Sequence, residues 1–254
     1  MENETIVLEI LEAKTDGHFS NRQVLPNEIS GLVVEHFAMK GTYHIQVLPQ
    51  ACIYDVLLVL KGEGSIEMEG MSHNYSGPSI IRTSYKKPYA IRLEKGQETH
   101  LLRFRKSLDE KDLKDIASNP EMHSDLFIKA IADCPVYTED IKSAKTINRM
   151  ILPEGMVPRF CMGSVQTEGP DAVAEHEHPM LDQLFFGLDG CHCTCVADDE
   201  KIMLTENMLL HIPLGSKHAV SVDEGNILHY IWFDFFLTLE GQKYMNEQHH
   251  MEEE

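Results

Sequence analysis

The chain has 254 residues, 43% hydrophobic and 25% charged, which is the composition of an ordinary globular protein with room for one large domain or two small ones. Its formal net charge of -19 at pH 7 argues against a nucleic-acid backbone or an anionic membrane surface as partner. No apolar run approaches the roughly 20 residues that span a bilayer. The opening MENETIVLEILEAK has neither the basic flank nor the long apolar core of a secretory signal, so the six cysteines are expected as reduced thiols of a cytoplasmic protein.

In chain order, Ile6-Val7-Leu8-Glu9-Ile10-Leu11 reads as an opening strand. Gly31 to Ala38, Tyr43 to Leu48, Ile53 to Leu60 and Ser65 to Glu69 follow as short segments rich in branched and aromatic residues, with a turn at Gly70. Many such strands at this spacing predict a β-barrel or sandwich. Helix is expected between the two halves of the chain. Ser107-Leu108-Asp109-Glu110 has the form of a capping box, with Leu113, Ile116 and Ala117 as an apolar face. Asn119-Pro120 reads as the start of a second helix, with Met122, Leu126, Ala130 and Ile131 as apolar positions. From Leu239 to Glu254 the chain is polar and reads as a frayed tail.

An internal repeat organises these elements. Asn21-Arg22-Gln23-Val24-Leu25-Pro26 returns as Asn148-Arg149-Met150-Ile151-Leu152-Pro153, an offset of 127 residues. Asp55 to Gly62 returns as Gln183 to Gly190 at an offset of 128, and HLLRFR (His100 to Arg105) resembles HYIWFD (His229 to Asp234). Two copies of one all-β unit is the economical reading. The expected boundaries are 1–106 for the first, 107–143 for a helical connector and 144–254 for the second.

The second copy carries a candidate metal site. His176 and His178 are separated by one residue, so on a strand both imidazoles share a face. Gln183 begins the apolar run Leu184-Phe185-Phe186, and His218 follows the turn Pro213-Leu214-Gly215. Three neutral imidazoles and one side-chain oxygen on stiff strands make a ligand set for a divalent transition metal. Asp182 competes with Gln183 for the fourth place. Gly190 lies seven residues after Gln183, as Gly62 lies seven after Asp55, so register favours Gln183 and alternation turns Asp182 to the other face.

These residues resemble the two motifs of the cupins, small double-stranded β-helix (jelly-roll) barrels. His176, His178, Gln183 and Gly190 match the first motif. Pro213, Gly215 and His218 match the second, where Asn207 stands for its leading Gly and Val222 for its trailing Asn. With the repeat, the whole resembles a bicupin. The resemblance implies an all-β fold of two such barrels joined by a short helical connector, one metal (Zn, Mn, Fe or Ni) in the C-terminal barrel, and a homodimer. In the first copy the histidine positions fall near Leu48 to Cys52, and proline stands about where the last histidine belongs, so no metal is expected there.

The remaining candidates divide between chemistry and packing. Cys191, Cys193 and Cys195 alternate onto one face away from His192 and read as small buried thiols rather than a second metal site. Arg149 and Arg159 could grip a substrate carboxylate or form surface ion pairs. His211 or Asp182 could act as general base if either faces the barrel. His211, His229, Tyr230 and Trp232 could line a barrel pocket but read first as core packing, and His249-His250 beside Glu252, Glu253 and Glu254 reads as a tail able to bind metal adventitiously. A neutral amide in place of a carboxylate leaves the ion's full charge, which favours an anionic oxygen ligand. That suits Lewis-acid work on a small polar or anionic molecule. The resemblance to cupins with three His and one Gln implies a reaction of isomerase or lyase type, with the oxygenase type of other cupins also open, on a substrate such as a sugar acid or keto acid. A non-catalytic sensor that uses the metal to hold its ligand is the alternative.

Overall fold

The computed structural model describes residues 7–10, 19–248 and 252–253. The doublet His249-His250 lies outside them. The chain forms two compact units, an N-terminal unit of residues 12–134 and a C-terminal unit of residues 135–254 together with residues 1–11. The first strand, β1, is Val7–Ile10. The N-terminal unit then carries β2 (Phe19–Val24), β3 (Leu32–Lys40), β4 (Tyr43–Val47), β5 (Ile53–Met68), β6 (Met71–Ser76) and β7 (Ser79–Arg82). It continues with β8 (Tyr89–Leu93), β9 (Glu98–Ser107), α1 (Glu110–Ser118), α2 (Pro120–Ser124) and β10 (Phe127–Ala130). The C-terminal unit contains β11 (Val136–Thr138), β12 (Ile147–Val157), β13 (Phe160–Glu168), β14 (Asp171–His176), β15 (Leu181–Gly187) and β16 (His192–Ala197). It ends with β17 (Glu200–Thr205), β18 (Met208–Ile212), β19 (His218–Val222), β20 (Ile227–Phe236), α3 (Leu239–Gln248) and β21 (Glu252–Glu253).

All ladders are antiparallel, and each unit folds two layers over an apolar core. In the C-terminal unit an eight-stranded sheet runs β1-β18-β15-β20-β13-β12-β11-β21, and a four-stranded sheet runs β14-β19-β16-β17. The buried faces of the two sheets meet in a core that includes Phe185, Leu210, Val220, Tyr230 and the thiols of Cys191, Cys193 and Cys195. Alternation explains the thiols: along β16, Cys193, Cys195 and Ala197 are buried while His192 is exposed. In the N-terminal unit one sheet runs β10-β7-β5-β9-β3-β2, while β4 pairs with β8, and β6 and β8 join the far half of β5. That long strand crosses both layers, pairing with β7 and β9 up to Gly62 and with β6 and β8 beyond it. Among the described residues neither unit closes into a hydrogen-bonded ring; each is an open jelly roll.

Several elements differ from the sequence reading. Val7–Ile10 does not open the first copy but pairs with Met208 to His211 on the edge of β18 in the C-terminal unit, where it occupies an otherwise open ladder. Ser107 is not the helix cap, because it remains in β9 with its N–H bonded to Gly31 O at 2.7 Å. The cap is Asp109, which accepts from the backbone N–H groups of Lys111 and Asp112 while the Asp112 side chain accepts from the Asp109 N–H. The second helix ends at Ser124. Its expected continuation becomes β10, with Phe127 to Ala130 taken up by ladder bonds to β7. Thus the segment expected as connector divides: α1, α2 and β10 complete the N-terminal unit, and β11 joins the sheet of the C-terminal one. Leu239 to Gln248 form a helix whose Gln242 is buried and accepts the Arg159 backbone N–H.

Candidate metal centre

His176 is the last residue of β14 and stands directly opposite His218, the first residue of β19. A bulge between Val173 and His176 sets this pairing, since three steps along β14 face two along β19. His178 lies past the strand end and returns to the same place, so the two histidines converge by way of the turn and not by strand alternation alone. Ring centroids are 4.3 Å apart for His176 and His218, 4.8 Å for His176 and His178, and 5.4 Å for His178 and His218. One ring nitrogen from each can be chosen so that all three lie within 4.8 Å of one another, the only such gathering of His, Cys, Asp or Glu among the described residues.

Backbone carbonyls orient two of the rings. His176 Nδ1 meets Ala174 O at 2.7 Å and His218 Nδ1 meets Ser216 O at 3.1 Å. With Nδ1–H donating, the lone pair of each ring is on Nε2. Burial, then the neighbouring His176, pulls the His218 pKa down to about 4, which keeps it neutral and able to ligate at neutral pH. His218 Nε2 is buried with no hydrogen bond.

Gln183 enters from β15. Its side chain is buried, Nε2 donates to Asp234 Oδ1 at 2.8 Å, and Oε1 is buried with no hydrogen bond. A buried amide oxygen and a buried imidazole nitrogen that share a cavity without hydrogen bonds have lone pairs a cation could use. The donor set of three imidazoles and one amide oxygen fits a divalent transition metal.

The cavity has an empty volume of about 750 Å³, including its opening to solvent. His176, His178, Gln183 and His218 line it, together with Glu139, Lys142, Glu154, Tyr230, Trp232 and Asp234. Burial raises the carboxyl of Glu154 to about 7. Burial likewise raises Asp234 to about 7, against the lowering effect of the Gln183 hydrogen bond. Lys142 is paired with Glu139 one helical-type turn away.

The other sequence candidates fall elsewhere. His211 and Asp182 meet each other at 3.4 Å and line no part of the cavity, because Gln183 and Phe185 take the inward face of β15. Arg159 sits in the turn after β12 with φ +57°, its guanidinium donating to Leu237 O at 3.0 Å, and Arg149 does not line the cavity either. Tyr230 and Trp232 do line it, whereas His229 does not. Asn207, in place of the motif's glycine, has φ +62°, a left-handed conformation that asparagine tolerates.

Sequence reading missed Glu139, Lys142, Glu154 and Asp234. Asp234 carried a signal, an acid in an otherwise apolar strand at the register where the first copy has Arg105. Glu139 and Lys142 lie in the segment assigned to the connector and carried none.

Two copies of an antiparallel jelly roll, one holding a three-histidine cavity, define a two-domain double-stranded β-helix protein with a candidate metal centre. No family model and no curated protein matches the sequence. Solved structures do. The chain is similar to a putative glyoxylate-induced protein from Pseudomonas aeruginosa (TM-score 0.70, 12% identity, 85% of this chain and 80% of that one). It is also similar to a cupin 2 conserved barrel domain protein from Leptotrichia buccalis (TM-score 0.62, 13% identity, 90% and 97%). A third is the oxalate decarboxylase of Lactobacillus farciminis in its formate complex (TM-score 0.63, 12% identity, 91% and 88%). The fold is therefore that of the cupins, in the bicupin form. No helix among the described residues is long and apolar enough to cross a membrane.

Proposed function

We propose that the protein is a metal-dependent bicupin enzyme acting on a small polar or anionic molecule in the C-terminal cavity. The observation that carries this reading is the meeting of His176, His178, His218 and the Gln183 amide with buried carboxyls in one cavity. His176, His178, Gln183 and His218 hold the ion, with Zn, Mn, Fe and Ni all compatible with the set. When bound, the ion supplies Lewis-acid polarisation of a substrate oxygen.

The chain's own groups narrow the substrate. The four ligands are neutral, so the ion's charge attracts an anionic oxygen, while the Lys142 ammonium on the wall is paired with Glu139. Glu139 is thus already engaged, and Glu154 and Asp234, both raised to about 7 by burial, offer hydrogen-bonding oxygens to hydroxyl groups rather than fixed negative charge. A molecule with one carboxylate and several hydroxyl or keto oxygens, such as a sugar acid or keto acid, satisfies both. Glu154, with its carboxyl near 7, is the group suited to take and return a proton. Isomerisation or a lyase reaction next to a carbonyl needs that exchange. The oxalate decarboxylase among the structural neighbours shares the fold at 12% identity, so the substrate class rests on the cavity.

Metal content of the wild type beside His176→Ala, by elemental mass spectrometry, tests the centre. A panel of sugar acids and keto acids, screened for thermal stabilisation and then for turnover, tests the rest. One ion per chain, lost in the variant, with turnover of a stabilising compound supports the enzyme. Stabilisation without turnover across the panel assigns a sensor instead, and wild type that stays metal-free on reconstitution defeats the proposal.

A further inference from the structure

Gln183 stands where a carboxylate would offset the ion's charge, yet a carboxylate is present on the adjacent strand. We infer that Asp234 is the positioning residue of the metal centre. It decides which end of the Gln183 amide faces the ion and strengthens that end as a ligand. The inference rests on the metal reading above.

An amide side chain has two ends of nearly equal size. One is an oxygen with lone pairs, the other an NH2 with none to give. Half a turn about the last side-chain bond exchanges them, so an unguided Gln spends part of its time as a non-ligand. Asp234 removes the ambiguity, because in its ionised form a carboxylate only accepts. Its Oδ1 takes the Nε2–H at 2.8 Å, and Oε1 is the end left without a hydrogen bond in the buried cavity wall. Gln183 and Asp234 are direct cross-strand partners on β15 and β20, so the backbone ladder maintains their spacing. Donation to an anion also shifts electron density toward Oε1, as carboxylates behind metal-bound histidines do for their rings. The N-terminal unit uses the same register pair with the polarity reversed. There Asp55, on the strand equivalent to that of Gln183, faces Arg105 as an ion pair at 3.9 Å, and its hydrogen bond comes from Arg103 on the same neighbouring strand at 2.6 Å.

Three isosteric variants test this: Asp234→Asn, Gln183→Glu and the double variant, each titrated with Co²⁺ against a competing chelator at mildly alkaline pH. In Asp234→Asn two amides face each other and nothing selects the oxygen. Cobalt affinity is expected to fall about 10- to 100-fold, the size seen for lost outer partners of metal ligands, with a change in the visible cobalt band. In the double variant the carboxylate introduced on β15 accepts from the amide introduced on β20 and presents its second oxygen to the ion, so affinity is expected to recover most of the loss. A purely structural role for Asp234 predicts a lowered melting temperature of the metal-free protein in both variants that carry Asp234→Asn, and no recovery by the second substitution. Asp234→Asn that binds cobalt like the wild type, or a double variant no tighter than Asp234→Asn, overturns the inference while leaving the centre intact. Wild type and His176→Ala that bind cobalt alike overturn the centre itself.

Discussion

The two units place different chemistry on one frame. In the C-terminal unit His176 faces His218 across β14 and β19, and Gln183 faces Asp234 across β15 and β20. The matching ladders of the N-terminal unit set Val47 against Tyr89 and Asp55 against Arg105. Val47 packs on the apolar core, and the Tyr89 hydroxyl donates to Asp55 Oδ2 at 3.2 Å. Arg103 closes the group, its Nη2 at 2.6 Å from Asp55 and its Nη1 at 3.4 Å from Glu35. Behind these, Phe37, Met39, Leu57, Ile66, Ile91 and Leu101 belong to one apolar cluster. Acceptors that could hold a cation are thus already engaged by a guanidinium in one unit, whereas in the other Gln183 Oε1 and His218 Nε2 are buried without a hydrogen bond. The bulge in β14 contributes to the difference, because β4 reaches Tyr89 without a register shift. The C-terminal jelly roll offers a candidate metal cavity where Gln183 Oε1 and His218 Nε2 have no hydrogen bond, and the N-terminal one is a filled shell where an arginine satisfies the carboxylates.

The sharpest way to break this comparison is metal stoichiometry. One divalent ion per chain is expected, and His218→Ala should remove it entirely. Two ions per chain by elemental analysis would put metal chemistry in the N-terminal unit as well. Next in size, Arg103→Met should remove the hydrogen-bonded guanidinium from the half-buried carboxylates of Asp55 and Glu35, leaving Asp55 only the longer Arg105 contact, and cost about 3 kcal/mol by denaturant unfolding. Metal content should not change; if the ion is lost too, the two units are not chemically independent.

A third test uses pH. Burial, then the neighbouring His100, lowers the His36 pKa from 6.5 to about 4. The unfolded chain therefore binds a proton that the folded one refuses. The stability tied to His36 is fully present above pH 6.5, is lost progressively as the pH falls toward 4, and amounts to about 3 kcal/mol across that window. His36→Gln should flatten that part of the stability–pH curve in denaturant titrations, and an unchanged slope would remove His36 from the account.

The smallest expected effect separates two equivalent glycines. Both have positive φ, +88° at Gly62 and +73° at Gly190. A Cβ on Gly62 would lie 1.9 Å from Glu98 O, whereas one on Gly190 would meet only the Ile227 side chain at 3.7 Å. Gly190→Ala should cost about 1 kcal/mol for backbone conformation alone. Gly62→Ala should cost about 2 kcal/mol more, because the β5 crossing must move off β9. Equal losses in thermal unfolding would mean that the crossing is as loose as the turn after β15.

Much of this was legible in the chain. Alternation, turn residues and the repeat specified an all-β protein of two copies, because side-chain period and turn chemistry are local properties. The spacing of His176, His178, Gln183 and His218 was legible for the same reason, since each lies at a strand end or beside a marked turn. Other features depended on pairing between distant segments. Phe127 to Ala130 look helical until β7 takes their hydrogen bonds, and Val7 to Ile10 read as the start of the first copy until they meet β18. The acidic wall was hidden for the same reason: Glu139, Glu154 and Asp234 lie far apart in sequence and come together only when β11, β12 and β20 share a sheet. Sequence alone determined the fold class, the repeat and the spacing of the candidate ligands, all set by short-range stereochemistry. Tertiary structure alone decided which strands complete which unit, which carboxyls line the cavity and which end of Gln183 remains open. Those depend on long-range ladders, and on burial deep enough that each polar atom must find a partner or go without.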